Sequence, residues 1–383
     1  IGLGTGALAA DNGSDRLNTA VGYQALNKTT TGHSNVALGY QAMYNTGTGV
    51  NQAIAIGRLA QIKSTASSNI SIGYQAHYDL TSGSANIGIG HMAGQNQTTG
   101  SNNVVIGPDA HSAATTASAN IAIGNKALDS VTGIGSCTAI GHKALEDYEG
   151  SSGILGYATA VGHQAAMNMT SPYHVTVMGY NAATAATTGG TASAIIGSNA
   201  AAALTTGGGN TCVGHESLQS VTTGSNNVAI GKSAGDALTT GNNCIVIGNT
   251  ADPSSASASN EITLGNDSIT KLRVPGVSFE VDGGQVIADA YTETVAVLNG
   301  ANIDPANGQI QTKTISANTT FTESLSAGES VLLMLTAASY TATWPTITWV
   351  GGSAPTLASS GATAIELWKV STTLYGARVG DVA

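Results

Sequence analysis

The sequence predicts an all-β chain: a parallel β-solenoid, or β-roll, of about sixteen 17-residue coils, followed by a small C-terminal β-sandwich-like domain. Three observations carry this. An Asn-aliphatic-small-aliphatic-Gly block returns about every 17 residues between Gly4 and Gly265. Inside each block the side chains alternate with period two, as in a strand with two unlike faces. Beyond Gly265 the period stops, and all three tryptophans fall in the last 77 residues. A period of this length outranks local signals, because it means stacked copies of one small unit.

The glycine that closes each block serves as its anchor. Anchors fall at Gly4, Gly22, Gly39, Gly57, Gly73, Gly90, Gly107, Gly124, Gly141, Gly162, Gly179, Gly197, Gly214, Gly231, Gly248 and Gly265. The steps are 16 to 18 residues, save one of 21 between Gly141 and Gly162. The residue before the anchor is apolar (Leu3, Val21, Leu38, Ile56, Ile72, Ile89), and two places earlier it is mostly β-branched (Thr19, Val36, Ile54, Ile70, Ile87, Val104). Between them sits a small residue: Ala20, Ala37, Ala55, Ser71, Gly88, Ala122. The expectation is that the aliphatics, Ile72, Ile89 and Ile123 among them, face inward, and that the small residues let symmetry-related chains approach.

Four places before the anchor, Asn recurs at Asn18, Asn35, Asn69, Asn86, Asn103, Asn120, Asn210 and Asn227. In register these can form an amide ladder that caps backbone groups at the strand start. Ala or Ser stands three places after every anchor, from Ala7 and Ala25 to Ser268. Polar turns such as "TTTG", "LTSG" and "LTTG" separate the units. Each coil therefore reads as a short strand, a bend at a glycine that tolerates positive φ, a second shorter strand and a turn. At roughly 4.8 Å per coil, the stack is on the order of 75 Å long.

Fifty glycines, 4% aromatic and 9% charged residues describe a thin core of small side chains. At about 25 cal/mol per Å² of apolar burial, such coils are weak alone, so self-association, as a homotrimer, is expected. Lys and Arg number 12 against 22 Asp and Glu, a net charge of −10, with no basic run. Nucleic-acid binding has no footing there. The one sustained apolar run, Val331 to Leu335, is too short to span a bilayer. No secretory signal is visible. The chain opens at Ile1 inside a repeat, so an N-terminal part that joins it to other proteins is expected to be missing. Cys137, Cys212 and Cys244 stand at repeat positions usually held by Asn or Ala, and read as small buried side chains rather than a disulfide or metal framework.

Domain boundaries follow from composition: a shaft over 1–268, a neck over 269–306 with a turn at Pro275-Gly276, and a head over 307–383. Head segments such as "GQIQTKTISA", "ESVLLMLTA", "TAIELWKV" and "TLYGARVG" are strand-like, separated by Gly, Ser, Asn and Pro.

Two resemblances attach to these residues. "NVALG", "NIAIG" and "NVAIG", with Ala three places on, resemble the head repeats of trimeric autotransporter adhesins, which are trimeric left-handed β-rolls. The adhesin unit is usually shorter, and the heptad stalk and membrane anchor of that family are not seen here. "DPANGQIQTKTI" and "YTATWPTITWVGGSAPTLASSGATAIELWKVSTTLYGARVGD", within Ile303 to Asp381, resemble the C-terminal domain of bacteriophage tail fibres. Together they imply a trimeric virion fibre that attaches the phage to its host. Its partners would be its own copies, other tail or baseplate proteins, and a host surface glycan or protein.

The chemistry-bearing residues are few. Tyr or His follows the anchor at Tyr23, Tyr40, Tyr74, His91, His142, His163, Tyr180 and His215, a stripe interrupted by Arg58, Pro108, Asn125 and Ser198. It reads as side chains stacked along a corner, with a sugar-stacking or metal-binding ladder as the sharper alternative. His142 and His163 are the one pair close enough to share an ion, one ligand short of the usual three. In the long step Glu146, Asp147 and Glu149 cluster beside Tyr148. Paired carboxylates on a solenoid could cleave glycosidic bonds, as in a tailspike depolymerase, but an acidic insertion is ordinarily a solvated loop. No catalytic residue, metal or cofactor is assigned. An acyltransferase β-helix needs three hexapeptide blocks per coil, and only one fits. A Thr-lined ice-binding face is disfavoured by threonines that flank glycines out of register. In the head, Trp344, Trp349, Ser353, Tyr340 and Tyr375 are the receptor-contact candidates, on loops where recognition usually resides. Trp368 in "IELWKV" reads as buried, and Trp349 as near an exposed edge.

Overall fold

The computed structural model describes residues 1–11, 16–47, 49–131, 133, 135–148, 156–170, 174–188, 190–273 and 295–382. Two compact units emerge, Ile1–Arg273 and Val274–Ala383. The turn expected at Pro275-Gly276 lies outside the described residues.

In the first unit, sixteen short strands lie in chain order in one parallel sheet, from β1 (Gly2–Leu3) and β2 (Thr19–Val21) to β15 (Ile245–Ile247) and β16 (Ile262–Leu264). Register is kept residue for residue, as in Val36↔Ile54, Ala37↔Ala55 and Leu38↔Ile56. The repeat thus becomes a parallel β-solenoid with one strand per coil. The bend falls on the anchor glycines, whose φ runs from +122° at Gly4 to +144° at Gly179 and Gly197, with the last, Gly265, at +84°.

No second strand follows the bend among the described residues. Instead the chain alternates into the left-handed region two and four places after the anchor, as at Gln24 and Leu26, Gln41 and Met43, and Lys126 and Leu128, with φ of +49° to +54°. Such a backbone cannot pleat, which is why the expected second strand is absent. Its amides are still paired: Gln41 N–H donates to Tyr23 O in the coil before, and Met43 N–H to Ala60 O in the coil after, at 2.8 and 3.0 Å. Hydrogen bonds to both neighbours offset the intrinsic cost of left-handed residues.

The facing of the strands is the reverse of the expectation. Ala20, Ala37, Ala55, Ser71 and Ala122, between the aliphatics, are fully buried. The aliphatics point outward, half-covered by their neighbours up and down the stack, with Leu38 at 38%, Met178 at 42%, Ile230 at 41% and Ile247 at 39% exposure. The reason is the width of the coil. Its interior already holds Ala25 and Leu26, or Ala42 and Met43, from the opposite wall, so the strand adds little more than a methyl. Volumes compensate across it: a Cβ on Gly88 would meet the His77 ring at 2.6 Å, whereas the larger Ile195 shares its coil with Ala200 and Ala201.

Among its described residues the second unit contains ten strands: β17 (Val295–Val297), β18 (Asn302–Ile303), β19 (Ile310–Thr314), β20 (Thr319–Thr320), β21 (Thr322–Glu323), β22 (Ser330–Thr336), β23 (Ala342–Thr343), β24 (Thr348–Trp349), β25 (Ala362–Val370) and β26 (Thr373–Val382). Six form a mixed sheet in the order β17-β19-β22-β25-β26-β24, and β18-β21 and β20-β23 are separate short ladders. Residues 295–303, placed in the neck by composition, thus supply two strands to this unit. One sheet face carries Val331, Leu333, Leu335, Ile365 and Leu367 into a core with Phe321 and Ile303, covered by Trp344, Ile347, Trp349 and Leu357.

Candidate functional site

Three surfaces gather the residues that sequence singled out, and a polar cleft at the last coil adds another. The first is the corner stripe. Tyr23 stacks on Tyr40 at 5.3 Å between centroids, Tyr74 on His91 at 5.3 Å, and His142, His163 and Tyr180 follow one another at 4.9 and 5.2 Å. Arg58 does not break the stripe: its guanidinium lies 5.8 Å from the Tyr40 ring and 5.5 Å from Tyr74, bridging them by cation–π contact. Stacking covers both faces of His163, and Arg58 adds a second contact to Tyr40 and Tyr74. The rings do stack along the corner, as the sequence reading has them. His91 reaches Asp109 at 3.6 Å. Among the described residues no three His, Cys, Asp or Glu side chains are grouped to hold a metal.

The second is the acidic cluster. Glu146 pairs with Lys143 at 3.0 Å and Lys126 at 3.6 Å, bound to the cations of its own coil and the one before. Tyr148 is buried, 1% exposed, and is the largest fully buried side chain among the described residues. It fills the interior of the long coil, and its burial pushes the phenol well above its ordinary range. Glu149 lies outside the described residues.

The third is a polar cleft of about 550 Å³ at the last coil, lined by Thr250, Asp252, Thr263, Asn266, Asp267 and Ser268. Nearby, partial burial and then the Asp252 carboxylate raise the Asp236 carboxyl above its usual range.

The fourth surface is in the head, where the structure divides the five receptor candidates. Tyr340 and Trp344 line a groove of about 270 Å³ with Thr341, Pro355, Thr356 and Leu357, and no charged side chain is among its walls. Trp344 stacks on Phe321 at 5.2 Å and meets Trp349 edge-on at 5.4 Å. Ser353 is exposed, next to Ala354 of the groove wall. Trp349 does occupy the edge strand, but its ring turns inward, where a Cβ on Gly376 would meet it at 2.6 Å. Tyr375 is elsewhere: it stacks on Trp368 at 5.8 Å. Trp368 pairs across from Tyr375 next to the Leu367↔Gly376 pair. Since Leu367 faces the core, Trp368 and Tyr375 lie on the opposite face. Trp368 is therefore half-buried outside the core. A polar-flanked Trp can alternate to either face of a strand, and sequence alone gives no sign of which.

Sequence reasoning missed the largest feature, the outward ladder of aliphatics along β1–β16. The alternation was its signal, but inward burial of the larger member was assumed. It missed as well a buried polar set, Gln61, Ser71, His77, Gln97 and His111, inside an otherwise apolar core. All three cysteines are free and buried, as read. No helix among the described residues is long and apolar enough to cross a membrane. Comparison with known protein families, with characterised proteins and with solved structures finds no match.

Proposed function

We propose that this chain is the shaft and head of a homotrimeric fibre that attaches a bacteriophage to its host, the solenoid serving as spacer and the C-terminal unit as the contact. The outward aliphatic ladder carries this reading. A stripe of β-branched and aliphatic side chains, repeated on every coil from Val21 to Leu264, is more apolar surface than a lone soluble chain ordinarily leaves in water. Copies of the same stripe, packed in register around one axis, would cover it. The uncharged groove at Tyr340 and Trp344 suits a neutral sugar or an apolar side chain, and three linked copies raise avidity without new contacts. The resemblance of residues 303–381 to tail-fibre C-terminal domains supports the assignment. The ion-paired state of Glu146 favours this reading over a polysaccharide-cleaving tailspike.

Light scattering on the intact protein tests self-association: a trimer is expected, and a folded monomer at micromolar concentration overturns it. Ile230→Asp with Ile247→Asp, both outward, should lower the mass while leaving far-UV circular dichroism β-rich. Binding of the labelled intact protein to host cells tests the head. Tyr340→Ala should abolish most binding while Tyr375→Ala, on the other sheet face, leaves it. The opposite pattern would move the contact to the outer face.

A further inference from the structure

The outward face of the shaft changes along its length. Two positions per strand line it, the residue before the anchor and the one two places earlier. On β2–β16 neither carries a charged or amide side chain. The position before the anchor stays apolar throughout, from Val21 to Leu264. The earlier one does not. After Thr19 it runs Val36, Ile54, Ile70, Ile87, Val104 and Ile121, then Thr138, Thr159, Thr176, Ala194 and Thr211, then Val228, Ile245 and Ile262. Strand register sets these in one column, with Ile121 beside Thr138, Thr138 beside Thr159, Thr159 beside Thr176, and Thr211 beside Val228.

Apart from Ala194, all of these are β-branched and suit a strand alike, so the coil itself does not choose between them. What differs is the hydroxyl. Among the described residues nothing bonds to the hydroxyls of Thr138, Thr159, Thr176 and Thr211. Threonines at the polar turn behave otherwise: Thr98 and Thr205 donate to the Thr115 and Thr222 carbonyls of the next coil, at 2.8 and 3.0 Å. The four on the strand face are half-buried. They keep proton and lone pairs for a partner outside the coil.

An apolar ladder repeated on every coil has a defect as an interface: copies slipped by one coil bury nearly as much as copies in register. We propose, on the self-association reading above, that the Thr138–Thr211 block fixes the axial register of the copies. The earlier column of one chain lies against the same column of the next, hydroxyl against hydroxyl. The occupant is a second copy of this chain. With a net charge of −10, like chains repel least through an uncharged face. Two outward positions on each of sixteen strands also supply the roughly 20–30 residues a side of a stable interface. Each coil of slip sets one more hydroxyl at either end of the block against an aliphatic chain, where it has no partner. A polar position within an apolar seam sets register in coiled coils by the same means.

Disulfide cross-linking of the intact, assembled protein reads the register, and the three native cysteines are buried and do not compete. Val104→Cys should link copy to copy under mild oxidation, which needs Cα atoms within about 7 Å. A tagged Ile87→Cys chain, one coil away, co-assembled with Val104→Cys should link to it about tenfold less, because the slip leaves hydroxyls unmatched. Thr138→Val, Thr159→Val, Thr176→Val and Thr211→Val together keep the side-chain shape and remove the hydroxyls. In that background the offset link should approach the in-register one. The four corresponding changes to Ser keep the hydroxyls and should keep the parental ratio. An unchanged ratio with Val, equal links in the parent, or no Val104→Cys link in a proven oligomer overturns the proposal and leaves self-association standing. Light scattering on the same samples separates the two, since a folded monomer overturns both.

Discussion

Asn103 accepts the backbone N–H of Asn120 through its Oδ1 at 2.9 Å, while its Nδ2 donates to Ala117 O at 2.9 Å. One side chain thus closes its own coil and starts the next, and Asn69 and Asn86 repeat the arrangement. Asn103→Ala leaves buried backbone groups unpaired, at about 1–3 kcal/mol each. Urea unfolding should show a loss in that range. Asn242→Ala, whose Oδ1 accepts from Ser225 N–H in an exposed position, should change stability by under about 0.5 kcal/mol. Equal losses at the two sites would mean that the buried ladder has no special role.

The anchor glycines answer to a harsher constraint. Gly107 has φ +135°, and a Cβ there would lie 2.5 Å from Gly124 O in the next coil. Gly107→Ala is expected to destabilise by roughly 3 kcal/mol or more, from strain and backbone clash together. Gly49→Ala makes the comparison, since Gly49 also has positive φ, +91°, but no atom within 4 Å of the added Cβ. It should lose only the conformational part, about 1–2 kcal/mol. Comparable thermal midpoints for the two variants would show that the close coil-to-coil approach is not what selects glycine.

The repeat exposed the fold because each coil obeys the same local constraints. Gly at a φ of +122° or more in every anchor but Gly265, and Asn at a shared capping position in half of the coils, leave a repeated mark. The facing of the strands was not legible. Val36-Ala37-Leu38 has two faces in any case, and which one is buried depends on the width of the coil, set by Met43 and Ala42 across from it. The left-handed residues escaped for a related reason: Gln41 and Met43 carry no turn chemistry of their own, and only hydrogen bonds to adjacent coils hold them there. In the head, Trp344 and Tyr340 were legible as aromatics near a Gly-Ser-Pro loop. The pairing of Tyr375 with Trp368 was not, because it depends on the register between β25 and β26.

The cysteines give a prediction about access. Cys137, Cys212 and Cys244 are buried, and burial pushes the Cys212 thiol up to about 12 and raises that of Cys137. A thiol reagent needs the thiolate and a path to it. Ellman titration of the native protein near pH 8 should therefore find no reactive thiol, and titration in guanidinium should find three. Fast modification of any one in the native state would mean that its coil opens locally.

The buried histidines predict acid sensitivity, and the direction follows from their environment. Burial lowers both His77 and His111 from 6.5 to about 4; the neighbouring His111 adds to the shift at His77, and the Leu128 carbonyl opposes it at His111. The groups facing His77 are Ser71, Gln97 and His111, with no carboxylate among them to hold an imidazolium. Above pH 6.5 folded and unfolded chains both keep these rings neutral, and stability is undiminished. As pH falls below 6.5 the unfolded chain gains protons that the folded chain refuses. Stability then drops by about 1.4 kcal/mol per pH unit for each histidine. The loss continues to about pH 4, where the folded rings protonate too. Thermal midpoints measured from pH 7 to 4.5 should fall steeply in the parent protein. They should fall less in His77→Leu with His111→Leu, whose replacements match Leu26 and Leu128 at the same repeat position. Carboxylates titrate in both proteins, so the difference between the two curves isolates the histidines. Parallel curves would show that the rings reach solvent, or a proton, without unfolding.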